Sequence, residues 1–243
     1  MSKPPSSLIQ PGRIQKVLAA AGVASRRGIE EMVVQGRICV NGQPAWLGQQ
    51  INPDSDNIAV DGKTVGLHSQ LVHYLLNKPV GVICTADDPQ GRPTVVEMVP
   101  SHHRVFPVGR LDADSEGLLI LTNNGALAQH LTHPSYGVQK EYWAHVQGTP
   151  SRGTLRKLRE GLELEDGPAQ ALAVSLPQAS TLRIVVSEGR NRLVRRMCDA
   201  VGHPVLRLVR TRIGPITLRQ LPQGAWRDLT SAEVRLLEGL ERR

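Results

Sequence analysis

The sequence is poor in aromatic residues, which make up 3% of its 243 positions, so any core must be built from Leu, Val, Ile and Ala. It has three cysteines, Cys39, Cys84 and Cys198, set far apart and outside any CxxC or His-paired spacing. A structural zinc site needs four converging N or S ligands, so none is expected. An odd, sparse set of thiols suits a reducing compartment, and the expectation is cytoplasmic. No apolar run approaches the roughly 18 residues that cross a bilayer, so no membrane association is expected. The opening MSKPPSSLIQPG lacks the apolar stretch of a secretory signal, and residues 1–12 read as a flexible lead-in.

What the chain does have is positive charge: a net +7 at pH 7 and a pI of about 9.8. The cations are concentrated. Arg183, Arg190, Arg192, Arg195, Arg196, Arg207, Arg210 and Arg212 fall in one stretch, opposed only by Glu188 and Asp199. Arginine's planar fork suits phosphate, so a polyanionic partner is expected.

Patterning divides the chain. In residues 13–65, RIQKVLAAAG has helical spacing and ends at Gly22. Ser25 is a natural N-cap for a second helix, SRRGIEEMVVQG. Asn41-Gly42 and Asp61-Gly62 then mark two hairpins. Residues 66–70 are polar and aperiodic, and read as a linker. From 71 to 243 the strand candidates are LVHYLLNKP, GVICT, GLLILT, EYWAHVQG, LRIVVSEG and LRLVRTRIGPITL, outnumbering four helical segments. Strands and helices do not alternate strictly, which predicts an α+β fold with a mixed, mainly antiparallel sheet.

Chemistry concentrates in GRLDADSEGLLILTNNG, residues 109–125, where Asp112, Asp114 and Glu116 precede an apolar strand. A solvated acidic turn is one reading. A calcium loop is another, but Asn123 stands where the twelfth-position Glu belongs, and a strand follows instead of a helix. A glycosidase pair is a third, yet acids two and four residues apart on a turn do not easily flank one bond.

Two resemblances add to this. GVASRRGIEEMVVQGRICVNGQ resembles the S4 RNA-binding domain, although Gly28 replaces a usually larger residue; this implies RNA contacts from Arg26, Arg27 and Lys16, with Arg37 nearby. GRLDADSEGLLILTNNG, with YLLNKPVGVICT, RPTVVEMVP, HLTHPSYGVQKEYWAHVQG and VSEGRNRLVRRMCDAVGHPVLRLVRTRIGPITL, resembles the RsuA/RluB family of ribosomal RNA pseudouridine synthases; Asn124 stands where Asp is common. The resemblance implies an S4 domain followed by a pseudouridine synthase catalytic domain. The reaction breaks N1–C1′ of a uridine and rejoins the base through C5, without redox change, so no cofactor and no metal are expected.

By the same resemblance Asp112 is the nucleophile and acid/base group, attacking C1′ or promoting loss of the 2′ proton, or adding to C6. Tyr142 stacks on uracil and helps remove the C5 proton; its alternative is a core tyrosine on a strand. Arg195 pairs with Asp112 and keeps it ionised, as a neighbouring cation lowers an aspartate pKa by about 1 to 3 units; its alternative is a phosphate contact. Arg110 fills the space left by the extruded base or holds a phosphate, unless it pairs with Asp112 or Asp114. Lys140 binds RNA backbone, Val194 walls the base, and Arg190, Arg192 and Arg196 contact RNA. Thr122, Asn123 and Asn124 form a supporting turn. EGRNRLVRRM lies closer to the large-subunit branch than to the small-subunit branch, favouring 23S over 16S rRNA, naked or in an assembling subunit, and a monomer is expected. A non-catalytic RNA-binding or ribosome-assembly factor, and an RNA glycosidase, are the alternatives.

Overall fold

The computed structural model describes residues 9–67, 70–100 and 102–240; much of the expected lead-in (1–8) and part of the expected linker (68 and 69) lie outside them. The chain falls into two compact units. The division comes between Val72 and His73, with His102–Val105 grouped with the first unit.

In the first unit, helices span Ile14–Ala20 and Arg26–Val34. The Ser25 side chain caps the second by accepting from the Gly28 amide at 3.0 Å. The missing side chain at Gly28 matters here, because a Cβ would sit 3.1 Å from Ser25 Oγ. Both hairpins form at the expected dipeptides, Asn41-Gly42 and Asp61-Gly62, all four residues with positive φ as a type I′ turn requires. The four-stranded sheet packs Ile38, Val40 and Ile58 against Ile14, Leu18 and Ile29.

The second unit is built on a nine-stranded sheet. Its main path runs Ala173–Gln178, Thr181–Val186, Lys140–Val146, Val205–Ile213, Glu116–Thr122, His73–Lys78 and Trp226–Asp228. Every pairing on this path is antiparallel except that of Val205–Ile213 with Glu116–Thr122. The fold is therefore α+β with a mixed, mainly antiparallel sheet, as patterning predicts. One expected strand, GVICT, does not form and carries a single bridge, Ile83 to Thr94. The chain turns at the first residue of this segment, Gly81, with φ +86°.

Burial alternates along Lys140–Val146: Tyr142, Ala144 and Val146 are buried, while Trp143 and His145 are exposed. The buried face packs against the helix Leu193–Ala200 through Leu193, Val194, Met197 and Cys198. Helices Gly125–Thr132 and Ser231–Glu238 share a second core with Leu75, Leu118 and Ile120. Among the described residues no helix is long and apolar enough to cross a membrane.

The parallel junction depends on a glycine. Arg210 pairs with Gly117 on one side and with Tyr142 on the other. A Cβ on Gly117 would overlap the backbone of Arg210, and Gly117 itself has φ +107°. Gly117→Ala must therefore strain the backbone and separate the strands. It is expected to cost about 3 kcal/mol or more, read as a lower urea midpoint for unfolding.

Candidate active site

Asp112 lies on the turn that leads into the buried strand Glu116–Thr122. Gly109 opens the approach with φ +72°, and the Ser115 amide closes the turn on the Asp112 carbonyl at 3.0 Å. Beneath it is Lys78, a residue the sequence reading passed over. Its side chain is fully buried. Its Nζ donates to the carbonyls of Pro79 (2.9 Å), Asp112 (3.1 Å) and Ser115 (2.8 Å). Burial pushes the Lys78 ammonium below its ordinary pKa, against the opposing pull of Cys84, Asp114, Asp112 and Glu116. From sequence, Lys78 is one lysine in an apolar run before a proline, and nothing there announces three converging carbonyls.

The three acids of the motif part company. Arg192, itself at φ +49°, brings a guanidinium 3.7 Å from Asp112 Oδ2 and 3.0 Å from Asp114 Oδ2. Burial pushes the Asp114 carboxyl up, and Arg192 and Arg195 together outweigh it and hold it below the ordinary carboxylate value. Glu116 faces Arg207 at 2.6 Å and Gln223 at 2.7 Å. Asp112 and Asp114 thus share Arg192 while Glu116 turns to Arg207, instead of all three converging as a calcium loop would have them.

Arg195 departs from its expected pairing. The structure puts it 3.3 Å from Asp114 Oδ2, and it donates to the Asp114 carbonyl (2.9 Å), Ser115 Oγ (3.2 Å) and the Val205 carbonyl (3.1 Å). Its side chain is buried within a helix face, out of reach of solvent phosphate, and Arg192 is the cation beside Asp112. Spacing along EGRNRLVRRM could not separate two arginines one helical turn apart. Arg190 and Arg196, expected on RNA, both engage Asp166, at 2.8 Å and 2.7 Å. Arg190 also donates to the carbonyls of Gly167 and Pro168. Asp166 lies in a segment where the sequence offers no sign of such a contact.

A cleft of about 350 Å³ joins the remaining candidates, at the small end of the roughly 300–1,000 Å³ of ligand pockets. Asp112, Arg110, Lys140, Tyr142, Arg190, Arg192, Val194 and Arg210 all line it, whereas Arg195 and Arg196 do not. Arg110 and Arg192 are exposed, while Tyr142, Val194 and Arg210 are buried, so the cleft is wet and cationic at its mouth and closed at its floor. At the floor, burial and the neighbouring Arg210 push the Lys140 ammonium down to about 8. Behind the strand, Asn124 caps the helix Gly125–Thr132 by accepting from Ala126 and Leu127, a role Asn and Asp fill equally well. The basic residues Lys16, Arg26 and Arg27 belong to the first unit.

Lys78→Met removes the ammonium and leaves three carbonyls short of a donor. The expected result is a stability loss of about 2–4 kcal/mol and faster amide exchange at Ser115, measured by hydrogen exchange.

Comparison with known proteins agrees with this geometry. Residues 72–200 match the model of the RNA pseudouridylate synthase family, and residues 12–57 match the S4 domain. The chain is 44% identical over 236 residues to the ribosomal large subunit pseudouridine synthase B of Bacillus subtilis, covering 94% of this chain and 96% of that one. It is 44% identical over 234 residues to an RNA pseudouridine synthase of Mycobacterium leprae, covering 93% and 91%. A crystal structure of a pseudouridylate synthase superposes with a TM-score of 0.69 at 27% identity, covering 93% of this chain and 99% of that one. The chain belongs to the RNA pseudouridylate synthase family and carries an S4 domain ahead of its catalytic unit.

Proposed function

We propose that this enzyme isomerises a uridine of the large-subunit ribosomal RNA, the 23S rRNA, to pseudouridine, with Asp112 as nucleophile. The observation that carries the reading is the meeting of Asp112, Tyr142 and Arg192 in one cleft, with the Asp112 turn pinned from below by Lys78. The ribosomal substrate is supported by the name of the Bacillus subtilis relative, which aligns over nearly its whole length. Sparse, unpaired thiols support a cytoplasmic setting.

The base must leave its stack to reach Asp112. Exposed Arg110 and Arg192 at the mouth meet the phosphates of the extruded nucleotide, and Arg190 on the same wall adds charge. Val194 and the ring of Tyr142 then flank the uracil. Asp112 attacks C1′ or C6, the N1–C1′ bond breaks and the base turns; C5 then joins C1′, the bond to Asp112 breaks with its pair returning to the carboxylate, and N1 gains a proton as C5 loses one. Tyr142 helps to remove the C5 proton. Arg195 acts at one remove: its bonds to the Asp114 carbonyl and Ser115 Oγ fix the turn that carries the nucleophile. Arg196 holds Asp166 and through it Arg190. In the S4 unit, Arg26 and Arg27 sit in the first turn of their helix, where free amides also attract phosphate, with Lys16 on the preceding helix.

The test is tritium release from ribosomal RNA labelled at C5 of uridine. Wild type releases tritium, and Asp112→Ala is expected to reduce release at least about a thousandfold while still binding RNA. RNA bound without tritium release by wild type would mark a non-catalytic binding factor, and free uracil among the products a glycosidase. Replacing Arg26 and Arg27 together by Ala should raise the RNA Kd about tenfold and flatten its salt dependence. The single-turnover rate at saturating RNA should stay unchanged.

A further inference from the structure

Arg210 lines the cleft and carries a buried polar atom that lacks a partner among the described residues. The residue is 2% exposed, yet it lines the cavity. Its Nε donates to the Leu118 carbonyl at 2.8 Å and its Nη1 to the Arg110 carbonyl at 3.3 Å. Its Nη2 is buried and has no partner among the described residues. No carboxylate among the described residues lies within ion-pairing distance of Arg210. A buried guanidinium donor without a partner is costly to keep. The buried Nε of Arg195 is also unpartnered, but Arg195 does not line the cleft.

Sheet register says what meets this donor. Arg210 lies directly across from Tyr142, and residues so paired share a sheet face with Cβ atoms about 4.5–5.5 Å apart. The walls around them are Val186, Val194 and Leu208, all buried. A phosphate carries a full charge and a hydration shell, and exposed Arg110 and Arg192 serve it at the mouth. A flat, largely apolar base with carbonyl oxygens at its edge fits the floor. Lys140, opposite Ile213 on the same pair of strands, adds a second cation whose one hydrogen bond among the described residues goes to the Val138 carbonyl at 3.2 Å.

We infer that Arg210 Nη2, supported by Lys140, receives a carbonyl oxygen of the extruded uracil, O4 in the first instance, and stabilises the negative charge that the reaction places there. The inference rests on the reading of the site given above, but not on the choice of attack. If N1–C1′ breaks, its electron pair stays on N1 and spreads through the ring to O2 and O4. If Asp112 adds at C6, the C5–C6 π pair moves toward C5 and C4 and its charge rests on O4. In both routes the delocalised pair forms the C5–C1′ bond, the bond to Asp112 breaks with its pair returning to the carboxylate, and the C5–H pair restores the ring as that proton leaves and N1 gains one. O4 is the atom that gains charge in either case, and a fixed donor in a dry floor favours that charged state over the neutral base. Arg210 is thereby a catalytic residue, and Lys140 its support.

The experiment measures single-turnover tritium release at saturating C5-labelled ribosomal RNA, with RNA Kd and thermal unfolding, for wild type, Arg210→Met and Arg210→Gln. The rate is expected to fall about 100- to 1,000-fold in Arg210→Met, as when an oxyanion donor is removed, with Kd within about threefold of wild type. If Arg210→Met does not fold, Arg210→Gln, whose shorter neutral amide does not reach the position of Nη2, is read by the same criteria. A folded variant within about threefold of the wild-type rate overturns the inference. So does a loss that saturating RNA restores, which would assign Arg210 to phosphate binding. Failure of the underlying reading looks different, because wild type itself then releases no tritium.

Discussion

The catalytic unit depends on one buried ammonium. Lys78 is removed from water at the end of an interior strand, and three carbonyls solvate it in place of water. Two of these, from Asp112 and Ser115, belong to the turn that holds the proposed nucleophile. An unsolvated buried charge is far more costly than a lost neutral hydrogen bond, so the turn cannot drift without exposing that cost. The arrangement also explains how an acidic, partly exposed turn stays in one conformation. Its side chains are held from above by Arg192 and Arg195, and its backbone from below by Lys78.

The arginine-rich stretch divides its labour by burial. Arg183, Arg207 and Arg212 brace Glu141 and Glu116, both nearly buried on the sheet. Arg190 and Arg196 tie the approach to the helix Leu193–Ala200 onto Asp166. Arg192 stays exposed between two acids, and Arg210 is buried facing the cleft. A charge sum along the sequence therefore overstates how much of this positive charge is available to RNA. Most of it is spent on internal carboxylates, and what remains sits where a nucleotide would enter.

Local rules made much of the fold legible. Asn41-Gly42 and Asp61-Gly62 need positive φ at both positions, and few other dipeptides supply it, so the hairpins could be read off directly. Ser25 as a cap and the apolar run 118–121 were equally plain. GVICT failed because β-propensity carries no information about whether a partner strand lies alongside. The candidate site divides the same way. Asp112 and Tyr142 were found through resemblance, whereas the partner of Asp112 was not, because Arg192 and Arg195 differ by one turn and only the left-handed backbone at Arg192 decides which reaches the carboxylate. Lys78 and Arg210 were not singled out as site residues, since their roles come from backbone carbonyls and strand register, which residue types do not encode.

The polarity of the cleft follows from which charges are left over. Asp114 and Glu116 are matched to arginines at ion-pair distance, and Asp112 has Arg192 at the longer reach of 3.7 Å. Lys140 and Arg210, deeper in, have no carboxylate within that distance among the described residues. The Asp112 carboxylate at the turn and the unmatched positive charge at the floor face the same cleft. A nucleophilic carboxylate that pushes electrons into a uracil ring moves charge from the turn toward the floor, and preorganised positive charge there favours the movement without any reorganisation at the moment of reaction. The glycine at position 117 makes this possible at the level of the backbone. There the strand that follows the proposed nucleophile meets the backbone of Arg210 more closely than a Cβ would allow, which holds both poles on one sheet.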